Sequence, residues 1–148
     1  MVHFELVTDL QSVIRRDFPL ADKTLANPLS ANPLIDGEFL NLNQQYQLVR
    51  GVDGSIGWAA FVERGRFDVQ ALGKVTVLFL HSYEADTRVF DPTGLTLGGP
   101  LQVRAGLTID GITGRTGLGA YTSGAIIGYV TRLPANNGNK LRFIQCLY

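Results

Sequence analysis

The residues most able to do covalent chemistry are few and badly spaced. Cys146 with His81 and Asp86 is the only nucleophile, base and acid that could be assembled, and such a trio works only if the nucleophile is held against the base. Cys146 alternates with Ile144 and Arg142 in a terminal strand-like run, where a cysteine is most simply a small packing residue. His81 ends the strongest apolar run, a place for a histidine bonded to the backbone. Tyr121-Thr122-Ser123-Gly124 does not form the G-x-S-x-G elbow of a hydrolase. Gly114-Arg115-Thr116-Gly117-Leu118-Gly119 is rich in glycine but has neither the dinucleotide spacing nor the P-loop lysine. Carboxylate pairs exist at Asp86/Asp91 and Asp36/Glu38, but Asp36, Asp53 and Asp110 each precede glycine and read as turn-formers. Two histidines and one cysteine, far apart, do not make a zinc site. The expectation is therefore no catalytic residue, no metal and no cofactor.

Composition points the same way. The chain has 13 basic and 13 acidic residues and no net charge, whereas a nucleic-acid-binding domain carries a basic excess that displaces counterions from phosphate. Ten of the basic residues are Arg and only Lys23, Lys74 and Lys140 are Lys, a bias shared with protein interfaces. No apolar run approaches the roughly 20 residues that span a bilayer, and the first residues lack a signal-peptide core. A lone cysteine excludes an internal disulfide.

The elements that must position any site read as strands. Glu38–Leu42, Tyr46–Arg50, Gly57–Val62, Val75–Leu80, Thr87–Phe90, Leu101–Ala105 and Leu107–Ile109 carry alternating or continuous apolar residues. Ile126–Leu133 and Leu141–Leu147 form a hairpin around Asn137-Gly138, and Asp53-Gly54 is a further hairpin signal. Val75–Leu80 reads as a central strand, and the four glycines of residues 111–119 as a loop. Spacings at Phe4, Val7, Leu10, Val13 and Ile14 allow one short helix near residues 8–16. Prolines at 19, 28 and 33 give residues 17–36 the character of an extended arm, whose apolar side chains need pockets on this domain or on a neighbour. The expected fold is all-β, a jelly-roll-like β-sandwich or β-barrel with an N-terminal arm over residues 1–36 and a single β domain over 37–148.

Asn32-Pro33-Leu34-Ile35-Asp36-Gly37-Glu38-Phe39-Leu40 followed by Tyr46-Gln47-Leu48-Val49-Arg50-Gly51 resembles the N-terminal region of small head proteins of tailed bacteriophages. Phe90-Asp91-Pro92-Thr93-Gly94-Leu95-Thr96-Leu97-Gly98-Gly99-Pro100-Leu101-Gln102-Val103 and the ending Ile127–Val130 with Leu141–Ile144 are similar to theirs as well. These are capsid decoration, or cement, proteins. The resemblance implies a virion protein, made in the host cytoplasm, on the outer surface of an icosahedral head. It would bind across junctions between major capsid proteins, as a trimer rather than a dimer, without nucleic acid or membrane. The contacts would fall on the arm, at Phe18, Pro19, Leu20, Leu25, Pro28, Leu29, Pro33 and Leu34. Other expectations are a tail or baseplate accessory protein, or a small sugar- or ligand-binding module using Trp58 or Tyr83.

Overall fold

Apolar residues at every second position need a face to bury against, and in the computed structural model they find two. The structure describes residues 2–8, 14–27, 29–61, 73–79 and 82–146. The fold is mainly β. Its strands are β1 (Phe4–Leu6), β2 (Arg15–Pro19), β3 (Phe39–Leu42), β4 (Leu48–Arg50), β5 (Trp58–Ala59), β6 (Lys74–Leu78), β7 (Tyr83–Thr87), β8 (Pro100–Ile109), β9 (Ile112–Ala120), β10 (Gly128–Arg132) and β11 (Leu141–Gln145). A six-stranded antiparallel sheet in the order β1-β7-β11-β10-β8-β9 curls into a half-barrel. Just past β7, Phe90 bridges to Leu118 of β9, so the chain leaving one side of the sheet lies along its far edge.

The smaller sheets, β4-β3-β5 and β2-β6, are joined twice by single bridges, Ala60 to Val77 and Leu20 to Leu48. They form a shared wall. Phe39, Ala59 and Leu78 face the main core with Phe4, Tyr83, Leu101 and Phe143. Their neighbours Leu40, Ala60 and Val77 face a second core with Phe18, Leu20, Leu48 and Val75. Period-two alternation thus serves two cores with one layer.

Several expectations change. Residues 112–120 form a strand, not a loop: Gly117 is there because a Cβ would collide with the Val89 carbonyl, and Gly119 because it lies under Arg104. The tight hairpin turn is Asp110-Gly111, with φ of 51° and 79°, whereas Asp53-Gly54 joins two strands, β4 and β5, that both pair with β3 and not with each other. Val75–Leu78 is buried as expected but belongs to a two-stranded sheet. The strand expected at Thr87–Phe90 lies earlier, at Tyr83–Thr87. Residues 9–13 of the expected helix, and Val62, Leu80 and Leu147 of the expected strands, lie outside the described residues. Arg15 and Arg16, at the helix's end, are in β2. Among the described residues no helix is long and apolar enough to cross a membrane.

The described residues before β3 contribute directly to this body. β1 pairs with β7, and β2 pairs with β6 in a register from Arg15↔Leu78 to Pro19↔Lys74. Pro19 is tolerated because β2 is an edge strand of a two-stranded sheet, where a missing N–H costs least.

Asp86 holds the last hairpin to the sheet. It sits opposite Arg142, which donates to it from Nε at 2.9 Å and from Nη2 at 3.1 Å, and Asn137 donates at 2.8 Å. Burial pushes this carboxyl up, but the hydrogen bonds from Arg142 and Asn137 and the nearby positive charges outweigh it and hold it below its ordinary value. A depressed folded value makes the stabilisation fully present above the unfolded value, about 3.9, and lost as pH falls through the folded value. We therefore expect wild type to exceed Asp86→Asn in urea midpoint at neutral pH. The gap should close on acidification below about pH 4, which a midpoint series from neutral to acid checks.

Candidate docking surface

The segment between β2 and β3 is fastened to the body by hydrogen bonds and turns. After β2, the Leu20 N–H donates to the Gly73 carbonyl at 2.8 Å and the Ala21 N–H to the Leu48 carbonyl at 3.1 Å. A 3₁₀ turn follows at Lys23–Ala26, capped by Asp22, which accepts from the Thr24 N–H at 3.0 Å. Asn27 then builds the next turn: its Oδ1 accepts from the Leu29 N–H at 3.0 Å, and its carbonyl accepts from the Ser30 N–H at 3.0 Å and hydroxyl at 2.8 Å. Such Asx turns replace backbone pairing with a side-chain acceptor. The Leu34 N–H donates to the Leu25 carbonyl at 2.8 Å and closes the loop at its base.

Below the loop lies a buried ionic cluster centred on Glu38, whose side chain is 0% exposed. Its Oε1 accepts from Arg50 Nε at 2.9 Å and from the Thr116 N–H at 3.1 Å. Its Oε2 accepts from Arg115 Nη1 at 3.1 Å, Arg50 Nη2 at 3.2 Å and the Ile35 N–H at 3.0 Å. Arg115, 3% exposed, also donates to the Pro33 carbonyl, and Arg50 donates to the Asn32 carbonyl at 3.1 Å. One carboxylate thereby ties β4, β9 and residues 32–35 into a single unit. Two guanidinium groups around it satisfy the condition under which a charge can be buried.

The eight arm residues expected at contacts with neighbours therefore have different fates. Phe18 and Leu20 are buried in the chain's own second core, with Leu25 and Leu34 packed against it. Phe18 and Leu20 are enclosed by their own fold and fasten the segment, while Leu25 and Leu34 are half-buried against the same core. Pro19 and Pro33 are half-buried. Pro28 lies outside the described residues. Of the seven that are described, only Leu29 is displayed, 92% exposed.

A second exposed apolar group lies where the loop after β4 meets the loop after β9. The Ala125 N–H donates to the Gly54 carbonyl at 2.8 Å, and Gly54 lies against Ser123 and Gly124. Val52 and Ile56 flank this contact from one side, Tyr121 and Ile126 from the other, and all four are exposed. The sequence did not mark them as a surface group, because single apolar residues in loops carry no periodic signal.

The residues weighed for chemistry are dispersed or engaged. Asp86 is bound to Arg142, Cys146 is half-buried beyond the end of β11, and His81 lies outside the described residues. Tyr83 is buried against Phe4 and Phe143, and Trp58 packs on Phe79 with ring centres 4.9 Å apart. Asp36 stands two residues from Glu38, but it is Glu38 that holds the arginines. No group of three or more His, Cys, Asp or Glu residues suited to a metal occurs among the described residues. The chain matches no protein-family model, no curated protein and no solved structure.

Proposed function

We propose that this protein is a non-catalytic docking component of a virion, a decoration protein that seats on the outer face of an icosahedral phage head at junctions between major capsid proteins and stabilises the expanded shell. The observation that carries the reading is Leu29, 92% exposed on a turn whose flanks are anchored in the body. An apolar side chain held on a fixed turn loses little entropy on binding, so more of its burial energy appears as affinity. The four exposed apolar residues around Gly54 extend the same logic to a second contact. The resemblance of residues 32–51 and 90–103 to decoration proteins supplies the partner, and trimeric assembly rather than dimeric comes from it too. A trimer would let weak single contacts act together on a symmetric lattice.

Mixing the purified protein with decoration-free expanded shells tests the proposal. Saturable binding and added density that follows the icosahedral symmetry are expected, with a rise in the shell's disruption temperature. Density confined to tails or baseplates of whole particles would place the protein elsewhere in the virion and reject the capsid role.

A further inference from the structure

A groove of about 330 Å³ lies between the segment that follows β7 and the tip of the β8–β9 hairpin. Arg88 lines it, and the Nε of Arg88 is buried with no hydrogen-bond partner. No hydrogen bond or ion pair of this guanidinium occurs among the described residues; Arg104 and Arg115 share an unpartnered buried Nε, but other nitrogens of theirs are engaged. Arg88 is half-buried and its guanidinium has no internal acceptor, so it is available to an outside one. We infer that this groove binds a carboxylate side chain presented by a protein partner, with Arg88 as its fork-shaped contact.

The surroundings favour that ligand. Asp110, the one carboxylate lining the groove, is already engaged: its Oδ2 lies 2.6 Å from His3 Nε2. Asn139, on the opposite rim, is held at φ 62° and has no side-chain hydrogen bond among the described residues, so its amide can donate as well. Phe90, Pro92 and Ile109 give the groove an apolar wall. A glutamate followed by an apolar residue therefore meets charge with charge and wall with wall, and the planar guanidinium suits a bidentate carboxylate. The inference rests on the docking reading only for the source of that glutamate, a capsid subunit.

The test uses the whole protein and two capped dipeptides, N-acetyl-glutamyl-leucinamide and N-acetyl-glutaminyl-leucinamide, followed by NMR. The glutamyl peptide is expected to shift the Arg88 Nε–H and the amides of residues 88–92 and 108–110 in a saturable way. The glutaminyl peptide should bind about tenfold more weakly or not at all, the scale of a charged hydrogen bond. Arg88→Met keeps the apolar stem and should abolish the difference. Arg88→Lys, a milder change, should keep the preference for glutamate with reduced affinity. Equal response to both peptides, shifts located elsewhere, or a preference that survives Arg88→Met would overturn the inference. Because no shell is involved, failure of capsid binding would remove the docking reading and leave this result standing, and the converse holds.

Discussion

Glu38→Gln is expected to destabilise the protein by about 3–5 kcal/mol, the scale for breaking a buried ion pair from one side. The substitution keeps the shape but removes the charge that two guanidinium groups share. Arg115 is 3% exposed and cannot turn to water, and Arg50, 17% exposed, can do so only partly. The amide also replaces an acceptor oxygen with a donor, so either Thr116 or Ile35 loses its partner for an N–H bond. With a typical urea slope of about 2 kcal/mol/M, the midpoint should fall by about 2 M. A shift of a few tenths of a molar unit would show that water replaces the carboxylate cheaply and that the cluster does not fasten the segment. Total stabilities of such domains are only about 5–15 kcal/mol, so this single change ranks among the largest available.

Deleting residues 17–36 should abolish the fold, not merely docking. The deletion removes most of β2, the Leu20↔Leu48 bridge and one side of the second core. Phe18 and Leu20 alone lose about 2–3 kcal/mol each of burial. Leu40, Leu48, Val75 and Val77, which face them, become wet as well. Arg50 and Arg115 lose the carbonyls of Asn32 and Pro33. Together these losses approach the whole stability of an ordinary domain. Circular dichroism and urea unfolding should show no cooperative transition for the shortened chain. A cooperative transition near the wild-type midpoint would mean that the segment is a dispensable arm after all. Loss of capsid binding on deletion therefore says nothing about contacts, and point substitutions on the exposed turn are needed.

These two results separate what the residues announced from what only the tertiary structure could supply. Alternation at Leu101, Val103 and their neighbours made β8 visible, and the apolar run from Val75 made β6 visible, because burial of a sheet face writes a period of two into the chain. The second core was half-visible: Phe18 and Leu20 are spaced for a strand, but Pro19 between them suggested an arm. The glycines of β9 argued for a loop because glycine usually weakens strands, and the reason for Gly117, the Val89 carbonyl, is 28 residues away. Glu38 looked like one more acid near a turn. Its partners are 12 and 77 residues distant, and no local pattern encodes such a meeting. Leu29 was among the expected contacts, yet nothing local distinguished it from Leu25 or Leu34. Which leucine faces inward depends on how the Asn27 turn and the Leu25–Leu34 closure aim the loop.

Leu29→Asp offers the most direct measurement of the central claim, that a fixed turn presents this leucine to a neighbouring subunit. Wild type and variant should unfold at the same urea midpoint, since the side chain is 92% exposed. In a binding isotherm to decoration-free expanded shells, the variant should be weaker by about a hundredfold or more, the equivalent of one buried leucine plus the cost of desolvating a carboxylate. Equal affinity of the two proteins for the same shells would contradict the account.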